Sequence, residues 1–563
     1  MKLKTLSKKI HGPLVLVILD GVGLYKGQKD GYPGNAVDLA KADFLKRLFQ
    51  DNTEPKHIFT TLKAHGTAVG MPSDEDMGNS EVGHNALGAG RIFPQGAKLV
   101  NIAIENESLF KSNTWMELIG TKENPGYALK GSTVHFIGLL SDGNVHSHIN
   151  HLFAMIKKCK DEGVKEVRVH TLLDGRDVPE RSAEIYVEQL EKFLKELDPT
   201  GKHYCIASGG GRMVITMDRY EANWKMVELG WKTHVKGEAE YKFTSASEAI
   251  KTFRNIHPDK IDQDLPPFVI VDENQNPVGR IKDNDVVIFF NFRGDRAIEI
   301  SRAFTEENFD KFPRDPNVKV HFAGMMEYDG DLKIPKKYLV SPPAIDRTVS
   351  EYLVHNGIYQ YAISETQKFG HVTYFWNGNN SQKFSETMEE WVEIPSDIIP
   401  FEKKPEMKAK EITDKLIDAI SSNKYQFLRV NYANGDMVGH TGVLEAAIKA
   451  MEVVNEQVER LYDTIQKNHG TLIIIADHGN CEQMIEIDKK TGNPKKNKDG
   501  SYAAKTSHTL NPVPFVLLSP HLEELELNPT KETYSLGNIA STILTLLGFE
   551  PPEIYLPSIV RWK

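Results

Sequence analysis

The stretch L-V-L-V-I-L-D-G-V-G (14–23), read beside T-L-I-I-I-A-D-H-G-N (471–480), decides the fold of this chain. Each is a short apolar, β-branched run that ends on an acidic residue, with glycine one or two residues further on. Neither alternates polar with apolar, so each suits a strand buried on both faces rather than a half-exposed one. Related runs follow at 133–140 (T-V-H-F-I-G-L-L), 166–173 (E-V-R-V-H-T-L-L), 285–292 (D-V-V-I-F-F-N-F) and 426–432 (Q-F-L-R-V-N-Y). Between them lie amphipathic stretches such as 409–421 and 444–466, which supply covering helices. The pattern is that of an α/β protein. Asp20, Asp436, Asp477 and His478 each fall just after such a run, and open α/β sheets bind ligands at the carboxyl ends of their strands.

At 563 residues the chain is too long for a single core, and roughly two to four domains are expected. Proline- and glycine-containing connections near 93–96 and from 334 to 343 mark boundaries, giving segments 1–94, 95–342 and 343–563. The middle segment has its own strand–helix alternation and reads as a domain inserted into another. Metal-type residues lie outside it and most arginine-bearing motifs lie inside it. The net charge of −10 argues against broad nucleic-acid or anionic-membrane binding, while a local basic pocket for a small anion is compatible with it. No apolar run reaches the roughly 18 residues a membrane span needs. The basic start and the run at 14–19 lack an A-x-A-like cleavage site, so they read as a tail entering a strand. Cys159, Cys205 and Cys481 are odd in number and far apart, which argues against a disulfide framework and a thiolate zinc site and points to a reducing, cytoplasmic setting.

Four segments carry metal-type chemistry. In D-M-G-N-S-E-V-G-H-N-A-L-G-A-G-R (76–91), a glycine-flanked turn brings Ser80 to the start of a helix, where free N–H groups favour phosphate. Taken alone, Ser80 would be read as a helix cap. In N-Y-A-N-G-D-M-V-G-H-T-G (431–442), Asp436 and His440 are four apart and share a face if a helical turn forms. Asp477 and His478 are adjacent in A-D-H-G-N, and His508 lies in the polar stretch T-S-H-T (506–509). With Asp20, these residues supply three carboxylates, three imidazoles and a hydroxyl, enough for two adjacent metal ions that activate a serine and stabilise a phosphoryl group. Mixed nitrogen and oxygen donors suit Mn²⁺, Co²⁺ or Zn²⁺; an all-oxygen site would better suit Mg²⁺.

The middle segment holds a second constellation: L-L-S-D-G-N-V-H-S-H (139–148), D-G-R-D-V-P (174–179), S-G-G-G-R-M-V-I-T-M-D-R-Y (208–220) and N-F-R-G-D-R (291–296). Arg176, Arg212, Arg219, Arg293 and Arg296 suit bidentate contacts to a small carboxylate- or phosphate-bearing molecule, and His146 and Asp177 are available for proton transfer. Other motifs fail. G-V-G (21–23) lacks the third glycine of a dinucleotide fingerprint, and G-G-G-R lacks the Lys-Ser/Thr of a P-loop. Asp272–Asp283 begins like an EF-hand but has Pro277 at the glycine position.

Together these segments resemble cofactor-independent phosphoglycerate mutase, of the alkaline-phosphatase-like superfamily. L-D-G-V-G, M-G-N-S-E-V-G-H-N, L-L-S-D-G-x-V-H-S-H, D-G-R-D, G-G-R-M-x-x-x-M-D-R, N-F-R-x-D-R, S-E-T-Q-K-F-G-H-V-T-Y-F, N-x-x-N-G-D-M-V-G-H-T-G and A-D-H-G-N occur in order over nearly the whole chain. The resemblance implies a three-layer α/β/α metal domain, discontinuous in sequence, with an inserted α/β substrate domain; the split between metal and arginine segments suggests that the inserted domain closes to exclude water. It implies that Asp436, His440 and His508 hold one metal and that Asp20, Ser80, Asp477 and His478 hold the other, with Ser80 as nucleophile. His146, Arg176, Asp177, Arg212, Arg219, Arg293, Arg296 and Lys368 would bind substrate, with Asp177 managing a hydroxyl proton. The implied cofactors are two divalent ions, Mn²⁺ foremost with Mg²⁺ or Co²⁺ as alternatives, and no 2,3-bisphosphoglycerate. The implied reaction interconverts 3-phosphoglycerate and 2-phosphoglycerate in glycolysis and gluconeogenesis through a phosphoserine, in a cytoplasmic monomer with neither nucleic-acid nor membrane partner. A metal-dependent phosphatase or phosphopentomutase on the same scaffold is the alternative. A non-catalytic relative would have lost Ser80 or a ligand. The polar stretch near 489–502 is assigned no role.

Overall fold

The computed structural model describes the chain except residues 28–31, 72, 219–222, 330–332, 343–344, 489–490, 498 and 530–532 and the side chain of Asp295. The chain divides into two compact units, Met1–Pro94 with Pro343–Lys563, and Gln95–Pro342.

The first unit is built on a seven-stranded sheet in the order Glu389–Ile394, Gln360–Glu365, Phe427–Tyr432, Leu14–Leu19, Thr471–Ile475, Val513–Leu518, Ile58–Leu62. The first five strands are parallel, and Val513–Leu518 runs antiparallel to both its neighbours. Leu14–Leu19 is central and buried at every position, as its unbroken apolar run requires. Leu14 is in register with Phe427 on one side and Thr471 on the other. The carboxyl ends of these three strands therefore lie together. Helices Ala409–Ser421 and Leu444–Lys467 cover the sheet through stripes such as Ile412, Leu416 and Ile420, and Met451, Val454, Val458, Leu461 and Ile465, spaced three and four apart. Truncating one of these, Leu461→Ala for example, should cost about 2–5 kcal/mol.

The second unit has its own seven-stranded sheet, in the order Tyr241–Phe243, Phe268–Ile270, Tyr204–Gly211, Val167–Leu173, Val134–Leu140, Val286–Phe289, His321–Gly324. It is parallel except between Tyr204–Gly211 and Phe268–Ile270. The run at 285–292 is strand only over Val286–Phe289. Beyond it the chain leaves the ladder: the Asn291 side chain accepts from the Leu139 amide at 2.9 Å, and the Phe292 amide donates to the His146 carbonyl at 2.8 Å. No described helix is long and apolar enough to cross a membrane.

Candidate metal centre and anion site

Asp20 ends the central strand of the first unit, Asp477 and His478 follow Thr471–Ile475, and Asp436 lies in the short helix Asn434–Gly439 after Phe427–Tyr432. Neighbouring strands thus bring together acids that are far apart in the chain. The helical turn at Asn434–Gly439 puts His440 beside Asp436, with Nε2 and Oδ1 3.1 Å apart. Ser80 is the first residue of the helix Ser80–Ala89, but the cap is Asn79, whose side chain accepts from the Val82 amide. The Ser80 hydroxyl is therefore released from capping. Its Oγ lies 3.2 and 3.3 Å from the two Asp20 oxygens, 3.0 Å from His478 Nε2 and 2.8 Å from Lys368 Nζ.

Three histidines are held by one device. Nδ1 of His440 meets the Thr506 carbonyl at 2.7 Å, Nδ1 of His508 the Gly78 carbonyl at 2.8 Å, and Nδ1 of His478 the Gly479 carbonyl at 3.2 Å. A carbonyl only accepts, so each Nδ1 carries the proton and each Nε2 presents a lone pair, the arrangement that outer hydrogen bonds impose on metal-binding imidazoles. Nε2 of His440 and His508 lie 3.0 Å apart, and each is 3.1 Å from Asp436 Oδ1. Burial pulls the His440 pKa down but Asp436 raises it above the ordinary value, so the cation these facing atoms call for is a proton or a metal ion. Asp436, His478 and His508 offer ligand atoms within 4.8 Å of one another, as do Asp20, Asp477 and His478. Asp477 Oδ2 is buried and accepts no hydrogen bond. On these observations the residues fit divalent metal ions.

The electrostatics agree. Burial would lower the Lys368 pKa, but Asp20, Asp436 and Asp477 hold it well above the ordinary lysine value. Its ammonium is 2.8 Å from Asp436 Oδ2 and 3.1 Å from Asp20 Oδ1. Burial raises Asp20, and Asp477 and Asp436 raise it further against the pull of Lys368 and His478; burial likewise raises Asp477. Burial also acts upward on Asp436, yet His440, Lys368 and His508 outweigh it and hold that carboxyl well below its usual range. Three buried carboxylates against one ammonium leave negative charge that a metal would neutralise.

Sequence reasoning passes over several supporting residues. Asn431 donates to Asp20 Oδ2 at 2.7 Å, and Asn480 donates to Asp436 Oδ1 at 2.9 Å. Glu482, fully buried, accepts from the amides of Gly23 (2.9 Å) and Asn480 (2.8 Å), from Asn511 Nδ2 (2.9 Å) and from the Thr509 hydroxyl. His84 places Nδ1 2.8 Å from the Ser80 carbonyl and 3.5 Å from Asp477 Oδ2. Its spacing of four from Ser80 on one helix was the available signal. Asn431 and Asn480 lie within N-Y-A-N-G-D (431–436) and A-D-H-G-N (476–480); Glu482 has no signal beyond its nearness to Asn480.

In the second unit the arginine motifs follow four adjacent strands, Tyr204–Gly211, Val167–Leu173, Val134–Leu140 and Val286–Phe289. Asp174 organises them. It accepts from the amides of Arg176 (3.1 Å) and Asp177 (3.0 Å), from Ser141 Oγ (2.6 Å) and from Arg212 Nη1 (2.9 Å). Arg212 is buried and also pairs with Asp177 at 2.5 Å. Arg296, buried, donates to the Met217 carbonyl at 2.8 Å. His146 is buried, Arg293 half-buried and Arg176 exposed. Arg219 lies outside the described residues. Lys368, expected among the substrate contacts, sits within the carboxylate cluster of the first unit.

Residues 12–551 match the Metalloenzyme superfamily. A probable 2,3-bisphosphoglycerate-independent phosphoglycerate mutase of Leptospira interrogans is 55% identical over 550 residues, covering 97% of each chain. The 2,3-bisphosphoglycerate-independent phosphoglycerate mutase of Trypanosoma brucei brucei is 50% identical over 559 residues, covering 99% of this chain and 98% of the relative. A crystal structure of Leishmania mexicana phosphoglycerate mutase at low cobalt concentration superimposes with a TM-score of 0.67 at 46% identity, covering 100% of both chains. With half or more of its residues shared with such relatives along nearly its whole length, the chain belongs to the 2,3-bisphosphoglycerate-independent phosphoglycerate mutases, within the Metalloenzyme superfamily.

Proposed function

We propose that Ser80 is the nucleophile of a phosphoryl transfer that interconverts 3-phosphoglycerate and 2-phosphoglycerate through a phosphoserine. The observation that carries this reading is the setting of the Ser80 hydroxyl. It is released from capping, it lies at a helix N-terminus, and His478 Nε2, Asp20 and the Lys368 ammonium are within 3.3 Å of it. The Lys368 ammonium, 2.8 Å away, can hold the oxygen left when the hydroxyl loses its proton. Asp436, His440 and His508 would hold one divalent ion, and Asp20, Ser80, Asp477 and His478 a second. Mn²⁺ suits this donor set, with Mg²⁺ or Co²⁺ as alternatives, and when bound the ions supply Lewis acidity toward the phosphoryl oxygens and lower the hydroxyl pKa.

Arg176, Arg212, Arg219, Arg293, Arg296 and His146 of the second unit bind the glycerate through its charged ends, and Asp177 takes or returns the proton of the reacting hydroxyl. Lys368 contacts the transferred phosphoryl group. Segments 1–94 and 343–563 form the metal domain in this reading, and 95–342 the substrate domain. Because the phosphoryl group waits on Ser80, the reaction needs no added 2,3-bisphosphoglycerate. The enzyme is read as a cytoplasmic monomer of glycolysis and gluconeogenesis with no nucleic-acid partner. The test is conversion of 3-phosphoglycerate after chelation, without added bisphosphoglycerate, each metal being restored separately. Activity that survives complete chelation would refute the metal assignment.

A further inference from the structure

The core of the second unit contains a continuous buried chain of polar side chains that the reaction does not use. Asp285 Oδ2 lies 3.2 Å from His135 Nε2, and His135 Nδ1 lies 3.0 Å from His170 Nε2. His170 Nδ1 lies 2.7 Å from Ser208 Oγ, Ser208 Oγ 2.8 Å from His234 Nδ1, and His234 Nε2 2.9 Å from Thr216 Oγ1. His135, His170 and Ser208 belong to three neighbouring strands, and His234 comes from the π-helical turn Lys232–Lys236 that packs on the strand carrying Ser208. All of these residues are buried.

The chain has only one consistent direction. Asp285, also accepting from the amides of Lys282 and Thr133, is an acceptor, so His135 donates from Nε2 and accepts at Nδ1. His170 must then donate from Nε2 and accept the Ser208 hydroxyl at Nδ1. Ser208 accepts from His234 Nδ1–H, and His234 accepts at Nε2 from Thr216. Each imidazole is neutral, with both nitrogens committed. Burial holds His135, His170 and His234 below the ordinary histidine value.

The far end of the chain is the loop that follows Tyr204–Gly211. Thr216 has φ +69°, rare for a β-branched residue, and is held there on every side. Its amide donates to the Met226 carbonyl at 3.0 Å, its hydroxyl to His234, and a Cβ on Gly230 would come within 2.2 Å of its Oγ1. The next residue, Met217, offers the carbonyl that receives Arg296 Nη1. The loop begins at Arg212. We propose that Thr216 and His234 are positioning residues of the substrate site: the imidazole chain fixes the loop 212–218 and, through the Met217 carbonyl, sets the guanidinium of Arg296. This rests on the reading that Arg212 and Arg296 bind the glycerate.

The test uses the full-length, metal-loaded enzyme. Thr216→Val keeps the shape and loses the hydroxyl, and Thr216→Ser keeps the hydroxyl. Thr216→Val is expected to raise KM for 3-phosphoglycerate about tenfold with kcat within about twofold, and Thr216→Ser to stay within about twofold in both. Histidine-selective ¹⁵N NMR of the unaltered enzyme should find the proton on Nε2 of His135 and His170 and on Nδ1 of His234. Loss of kcat at constant KM in Thr216→Val, or His234 protonated on Nε2, would overturn the proposal. Arg296→Ala separates the two ideas. If it raises KM and Thr216→Val does not, the positioning role falls and the substrate site stands; if Arg296→Ala leaves KM unchanged, the site reading itself falls.

Discussion

The reacting hydroxyl of Ser80 depends on a division of labour between adjacent residues, in which Asn79 caps the helix and Ser80 faces the carboxylates. Ser80→Ala should abolish mutase activity by at least about a thousandfold, with folding intact, because no other described hydroxyl shares these neighbours. Steady-state rates and circular dichroism check this. Lys368→Met removes the ammonium 2.8 Å from Ser80 Oγ and should lower kcat about a hundredfold while altering KM less. An equal loss in kcat/KM carried by KM alone would place Lys368 in binding only. At this scale much is legible in sequence, since an acidic residue closes two of the apolar runs and follows a third shortly after. What is not legible is the outer ring. Asn431 and Glu482 look like ordinary polar residues until the fold turns them onto Asp20 and the loop 479–511.

Elements set the precision of the site. Gly88, on the helix begun by Ser80, leaves no room for a side chain: an added Cβ would lie 1.9 Å from the Trp376 carbonyl oxygen. Trp376 follows the π-helical turn His371–Phe375, which itself continues the helix carrying Lys368. Gly88→Ala should therefore cost about 1–3 kcal/mol and displace Ser80 from Lys368, seen as a lower urea midpoint together with a lower kcat. The buried strands and the helices 409–421 and 444–467 are readable because their apolar spacing is regular. The edge strand Glu389–Ile394 is not, because it is only partly buried and three of its six residues are glutamates. The two π-helical turns have no spacing of their own and arise from tertiary packing.

At the scale of the whole molecule, two sheets with separate cores give two responses. Chelation should leave Asp20, Asp436 and Asp477 facing Lys368 without the metal charge, so the unit Met1–Pro94 with Pro343–Lys563 should lose about 2.7 kcal/mol if metal was present at about a hundred times its Kd. Calorimetry should show one transition moving and the other staying. Acid should act on Gln95–Pro342 through its buried imidazoles. Burial brings His234 down from 6.5 to about 3, so its contribution is fully present above pH 6.5 and is lost as pH falls toward 3, where the unfolded chain takes up the proton first. Asp285 opposes this effect, while Arg168 and Lys282 reinforce it, at the His135 end of the chain. Relative to His234→Gln, the native protein should lose about 1.4 kcal/mol per pH unit across that window, read from urea midpoints. Strand order explains why the whole was less legible than its parts: nothing local says that 427–432 and 471–475 flank 14–19, yet that adjacency makes one centre from three acids.

The central claim is that the phosphoryl group rests on Ser80. Metal-loaded enzyme mixed with 3-phosphoglycerate carrying labelled phosphate, without bisphosphoglycerate, can be quenched in acid and in alkali and mapped by peptide. Acid-stable label on the peptide containing Ser80, absent from Ser80→Ala, is expected. Turnover with label on a histidine, or with none on Ser80, would contradict it.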